Sequence, residues 1–230
     1  LDLKQQGVIE DFQLLFYIIQ PPTPERVKYD IFDRVNRGGT PLNKQEMRNA
    51  LYRGRCTRML DKLCCSPEFL IATGRSINKE RMKDQYVVLR AMAFLMLHRG
   101  EFKDIPALQY RGDIDDFLAR FMVYVNDNAP EKLIVDYENL FIRCMQISYD
   151  LLGENGFRFS GNGIRRPINM PLFEALSYLF SFVPEKIDYT WASRLILDIE
   201  SVKEEFDDSR YFSGNIDSTT SVSFRFDRMD

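Results

Sequence analysis

The stretch from Lys79 to Arg99 does most to limit what this chain can fold into. Met82, Tyr86, Leu89, Ala93 and Leu97 recur there at helical spacing behind Asn78 as cap. At 1.5 Å per residue such a helix is about 31 Å long, enough to run through a small domain. Helical spacing returns over Cys56 to Cys65, Ile114 to Val125, Pro130 to Leu152, Asn169 to Val183 and Thr190 to Phe206. It returns once more in a tail where Val222, Phe226 and Met229 align. So many apolar stripes must bury one another. The chain is therefore predicted to be mainly α, a domain of five or more packed helices. Gly153 to Pro167, with four glycines and Arg158, Arg165 and Arg166, is the one long loop. A short strand is expected around Phe157 to Phe159.

The N-terminal fifth reads differently. Leu14 to Ile19 is an unbroken apolar run of strand length, so a strand is predicted over Phe12 to Gln20, stopped by Pro21-Pro22. Thr23-Pro24-Glu25 starts a helix in which Val27, Ile31, Phe32 and Val35 recur until Gly38-Gly39. Asn43 and Glu46 then have capping-box spacing, and Met47, Ala50 and Leu51 give the next helix its apolar face before Gly54. This strand, helix, glycine turn and helix form one unit, residues 1–54. Residues 55–230 form the helical remainder.

Several chemistries are excluded by what the chain lacks. No run approaches the roughly 18 apolar residues of a membrane span. No membrane partner is expected, and a cytoplasmic location is the default. His98 is the single histidine, so neither a His-metal cluster nor a Ser-His-Asp triad can be assembled, and it reads as a helix-end or surface residue. Cys56, Cys64, Cys65 and Cys144 form no paired knuckles and read as reduced structural thiols. Walker A and GxGxxG motifs are missing, and Glu101-Phe102-Lys103 imitates a nuclease E-x-K without a strand pattern around it.

The total of 31 Lys plus Arg against 34 Asp plus Glu hides a polarised distribution. Arg34 to Lys62 holds eight basic residues against Glu46 and Asp61. Basic residues spaced along short helices suit a DNA backbone, although a solvated face accounts for them equally. Asp198 to Asp217 holds seven acidic residues against Lys203 and Arg210.

The glycine turn is where chemistry is most legible. Termination at Gly38-Gly39 lets a ligand approach the backbone, and the following helix start presents N–H groups at a positive dipole end. Arg34, Arg37 and Arg48 add fork-shaped donors suited to phosphate. A plain connector between two helices is the competing account.

The string Phe32, Arg34, Asn36, Gly38, Gly39, Thr40, Leu42, Asn43, Gln45, Glu46, Arg48, Asn49, Ala50 and Leu51 resembles the signature of the GmrSD restriction-endonuclease N-terminal domain family. The likeness extends more loosely through Arg81 to Asp84, Val88 to Arg90 and Asn169 to Tyr178. It implies a ParB/sulfiredoxin-like nucleotide-binding core followed by helices, in a phage-defence restriction-modification system that couples NTP to DNA. NTP and Mg2+ would be the cofactors. Glu46 would be catalytic, orienting magnesium or water. Asn36 would bind phosphate or metal, and Arg37, Gly38, Gly39, Arg34 and Arg48 would surround the phosphates.

One family element is missing, because no D-G-Q-Q-R string occurs in the 230 residues. The resemblance therefore implies the C-terminal part of such a domain, with one or two strands left from the core and half of the nucleotide site, inactive alone. Its partners would be the missing core or a nuclease domain, DNA, and a second copy of itself. The rival reading is a non-enzymatic helical module that binds protein or DNA.

Overall fold

The computed structural model describes the chain apart from residues 1, 14, 17, 21, 24, 37, 39, 40, 162, 185, 187 and 230 and the side chains at 25, 26 and 29. Two compact units appear, Leu1–Pro41 and Leu42–Asp230. The division falls ahead of the expected boundary at residue 54 and puts the helix after the glycine turn in the larger unit.

The smaller unit holds α1 (Leu3–Glu10) and α2 (Glu25–Asn36). Asp2 and Gln5 close a capping box at the start of α1, with Asp2 accepting from the Gln5 N–H at 2.7 Å. The strand expected over Phe12 to Gln20 is not formed among the described residues there. A strand needs a hydrogen-bonded neighbour as well as an apolar run, and the described residues of the chain form no second strand to pair with it. Phe12, Leu15, Phe16 and Ile18 stay exposed.

The larger unit carries nine helices among the described residues. These are α3 (Lys44–Leu51), α4 (Arg55–Cys64), α5 (Pro67–Ala72), α6 (Lys83–His98), α7 (Ile114–Asp127), α8 (Glu131–Leu152), α9 (Met170–Phe180), α10 (Tyr189–Asp207) and α11 (Thr219–Asp227). The long apolar stretch became the central element, α6. Val87 to Met96 is buried without a break, which leaves no solvated face over that span. It packs against α4, α7 and α9, while α8 packs against α5 and α9.

Phenylalanine rings fill the junctions. Phe94 of α6 meets Phe117 of α7 and Phe226 of α11 at 5.3 and 5.6 Å between centroids. Phe173 of α9 meets Phe157 at 4.4 Å and Phe69 at 6.2 Å, the latter edge-on. Phe157 and Phe159 belong to no strand. Both rings and the intervening Arg158 are buried, so this part of the loop is pinned by its side chains.

The start of α4 shows how helices hold each other. Gly54 has no side chain to cap it, and Asn126 at the end of α7 does so instead. Its Oδ1 accepts from the Cys56 N–H at 2.9 Å, and its Nδ2 donates to the Tyr52 carbonyl at 2.9 Å. A Cβ added at Gly54 would lie 2.5 Å from that Oδ1. No helix among the described residues is long and apolar enough to cross a membrane.

Candidate functional site

The residues expected around nucleotide phosphate divide between the two units. In the smaller one, Arg34 is exposed in the last turn of α2, and Asn36 is half-buried at its end. The Gly38 N–H donates to the Val35 carbonyl at 3.5 Å, and Gly38 is exposed. Arg37 and Gly39 lie outside the described residues. Arg34 stands where a cation also complements the negative end of the helix.

In the larger unit the second half of the motif is bonded inward. Asn43 Oδ1 accepts from the Gln45 and Glu46 N–H groups at 2.8 and 2.9 Å, and Glu46 Oε2 accepts from the Asn43 N–H at 2.6 Å. This is the capping box that the spacing predicts. Both partners then grip one residue, Arg81. Asn43 Nδ2 donates to the Arg81 carbonyl at 2.7 Å, and Arg81 Nη2 donates to Glu46 Oε2 at 3.0 Å. The Arg81 bond, followed by the Asn43 N–H, holds the Glu46 carboxyl below its ordinary value. Arg81 and Met82 both occupy the left-handed region, at φ 57° and 58°.

Arg48 is 1 % exposed and points into the helical body. Its Nη1 donates to Asp115 Oδ1 at 2.8 Å and its Nε to Gln45 Oε1 at 3.1 Å. Lys44 also pairs with Asp115. Burial raises the Asp115 pKa, but the Lys44 and Arg48 bonds outweigh it and hold the carboxyl below its ordinary value. Two further basic residues are similarly engaged. Arg55 Nε is 3.5 Å from Glu131, and Lys62 Nζ is 2.5 Å from Glu138. Four of the eight basic residues, Lys44, Arg48, Arg55 and Lys62, are thus paired with carboxylates of α7 and α8.

A second cluster surrounds the long loop and was legible only as three arginines among glycines. A cavity of about 700 Å³ opens there, lined by Arg158, Phe159, Arg165, Arg166, Glu200 and Lys203 among others. A neighbouring cavity of about 380 Å³ shares the three arginines and adds Lys83. Arg165 pairs with Glu154 at 2.8 Å, Arg166 with Asp207, and Lys203 with Glu200 at 2.8 Å. Arg158 is 4 % exposed. Its described bonds go to the Glu154, Thr73 and Arg166 carbonyls and the Ser76 hydroxyl, all neutral. Burial and the neighbouring Arg165 charge lower its pKa. The lone lysine in an acidic helix, Lys203, gave no sequence signal that it would be turned into this cavity.

Burial makes three of the four thiols poor nucleophiles. Cys56, Cys64 and Cys144 are buried, Cys65 is exposed, and all are free. Burial pushes the Cys144 thiol up to about 12, far from a thiolate at neutral pH. His98 is the last residue of α6, as expected, and is half-buried, with its ring stacked on Phe226 at 3.7 Å and 7°. No group of three or more metal-ligating side chains occurs among the described residues. No family model, curated protein or solved structure matches the chain.

Proposed function

We propose that the chain supplies part of a nucleotide phosphate site to an NTP-dependent DNA-restriction protein, with the helical body as its mount. The motif resemblance motivates this reading. The observation that supports the mount is the double anchoring of α3, through Asn43 and Glu46 to Arg81 and through Arg48 to Asp115. A helix fixed in two directions is held firmly within the larger unit. Positioning of that kind is what phosphate chemistry requires.

Within this reading the residues divide by what they are bonded to. Arg34, Asn36, Arg37, Gly38 and Gly39 are assigned to the phosphates, with Mg-NTP as ligand. Arg48 serves the mount. Glu46, whose Oε2 accepts both described bonds, is a positioning residue for α3.

Calorimetric titration of the whole chain with Mg-ATP tests this reading. Binding is expected without turnover, weakened at least tenfold by Asn36→Ala or Arg37→Gln. Glu46→Gln keeps an acceptor for the Asn43 N–H and should weaken binding less than threefold. Absence of binding, or binding indifferent to Asn36 and Arg37, would favour the rival reading, a helical interaction module whose glycine turn only connects.

A further inference from the structure

We infer that the cavity between the 153–169 loop and α10 is a separate site for a small diphosphate-bearing molecule, such as a nucleoside diphosphate. It is built entirely within the larger unit and does not depend on the glycine turn.

Size and charge carry the inference together. About 700 Å³ falls within the usual 300–1,000 Å³ range of small-molecule sites. Among the lining residues Arg158, Arg165, Arg166 and Lys203 give four positive charges, against two from Glu154 and Glu200 and a third from Asp207, which pairs with Arg166, leaving one in excess. Arg158 is the decisive group. A guanidinium removed from water is costly unless an anion answers it, and its described partners are three carbonyls and a hydroxyl. It lines both cavities; the Glu154 carboxylate acts on it through space without a described hydrogen bond, so a bound anion would give its charge a direct partner.

Arg165 and Arg166 are suited to open for a ligand. Their side chains are 45 % and 40 % exposed and tethered to the half-exposed Glu154 and Asp207. Such solvated pairs are worth only about 0–1 kcal/mol, whereas a bidentate contact with phosphate is stronger and geometrically matched to the fork. A Cβ at Gly161 would collide with the Ile164 carbonyl oxygen, whereas Gly163 lines the same cavity without a side chain, and a Cβ there would meet nothing within 4 Å. Phosphate oxygens can approach the backbone there.

A small ligand fits better than nucleic acid. Glu200, Glu204, Glu205, Asp207 and Asp208 follow one another along the end of α10. That acidic run would repel an extended phosphodiester backbone, while a compact anion reaches the arginines without lying across it.

The test is calorimetric titration of the whole chain with inorganic pyrophosphate, with ADP lacking magnesium, and with a DNA duplex of about 12 base pairs, longer than the cavity can enclose. Pyrophosphate and ADP should bind with a Kd of about 1 mM or tighter. Arg165→Gln and Arg166→Gln should each weaken binding at least tenfold. Asp207→Asn removes the carboxylate competing for Arg166 and should tighten binding about threefold, a gain that damaged folding would not produce. No binding by pyrophosphate, binding unchanged in the two arginine variants, or binding by the duplex alone would overturn the inference. Loss of pyrophosphate binding in Asn36→Ala with retention in Arg166→Gln would also overturn it, by placing the anion at the glycine turn. Retention in Asn36→Ala supports this site whether or not the glycine turn binds Mg-ATP.

Discussion

Glu174 of α9 and Arg225 of α11 meet with 3.0 Å between Oε2 and Nη2, and neither side chain reaches solvent. The other carboxylate oxygen of Glu174 accepts from Arg90 Nε of α6 at 2.5 Å. Arg90 then donates to Asp217 at 2.7 Å and to the Tyr86 hydroxyl at 3.1 Å, and Arg225 Nη1 donates to the Ile216 carbonyl at 2.5 Å. Two cations and two anions thus balance inside the helical body. Burial lowers the Arg90 pKa, but the Glu174 charge and the Asp217 bond outweigh it and keep the group firmly protonated. An apolar replacement of the whole cluster could be equally stable, yet removing one member strands the others in a low-dielectric interior.

Glu174→Gln is therefore expected to be severe although it preserves side-chain size. It leaves Arg90 and Arg225 sharing Asp217 alone, and removal of one partner from a buried pair costs about 3–5 kcal/mol. Urea unfolding followed by circular dichroism measures it. A loss below about 1 kcal/mol would mean that water or a moved carboxylate already screens the two guanidinium groups.

Gly54 and Asn126 offer a sharper test, because their effects should not add. Gly54 has an extended φ of 176°, which alanine also adopts, so the obstacle is the Asn126 amide 2.5 Å from the new Cβ. Asn126→Ala removes the cap of α4 and should cost about 1 kcal/mol. Gly54→Ala should cost about 1–3 kcal/mol by displacing the same amide. In the double variant the second change has nothing left to displace, so the combined loss should fall at least 0.5 kcal/mol short of the sum, the size expected for residues in contact. Strict additivity in denaturation midpoints would refute the tertiary cap.

Much of the helical body was legible because periodicity reports burial directly. The patterns over Ile114 to Val125, Pro130 to Leu152 and Thr190 to Phe206 reappear as α7, α8 and α10 with small shifts at their ends. Pro67–Ala72 was missed, since six residues are too few to display a period. The strand over Phe12 to Gln20 was misread because an apolar run alone does not distinguish a strand from an unpaired segment. The capping box at Asn43 and Glu46 was visible in spacing, but its grip on Arg81 was not, because a contact across 35 residues leaves no local trace. The arginine cavity was hidden for the same reason. The Glu200 and Lys203 side chains join it only after α10 has docked.

Acidification should weaken the attachment of α3. The Asp115 carboxyl is held below its ordinary value of 3.8, so its contribution is present above that value and lost as pH falls through the lower folded-state pKa. Asp115→Asn should reduce stability at pH near 7 by about 1–3 kcal/mol, since Arg48 is left buried without its carboxylate. The difference between the parent protein and the variant should shrink as pH drops below 3.8, following the same direction of shift. Parallel stability curves down to the acid limit would show that Asp115 titrates normally and that the pair contributes little.

The strained turn at Arg81 and Met82 supplies the last expectation. Consecutive non-glycine residues in the left-handed region cost about 1–3 kcal/mol each and persist only where the surroundings hold them. Asn43 holds the Arg81 carbonyl, and Glu46 holds its guanidinium. Asn43→Ala should therefore cost more than a lost helix cap, about 2 kcal/mol, with faster amide exchange over Lys79 to Lys83. Arg81→Gly releases the ion pair but also removes the left-handed cost, because glycine occupies that region freely. Introduced into the parent protein, it should change stability by less than about 1 kcal/mol, since the two effects oppose. Introduced into Asn43→Ala, it should again change stability by less than about 1 kcal/mol, because it removes the same ion pair and the same strain in either background. Further destabilisation in that background would show that the turn is held by packing around Met82 and not by the capping residues of α3.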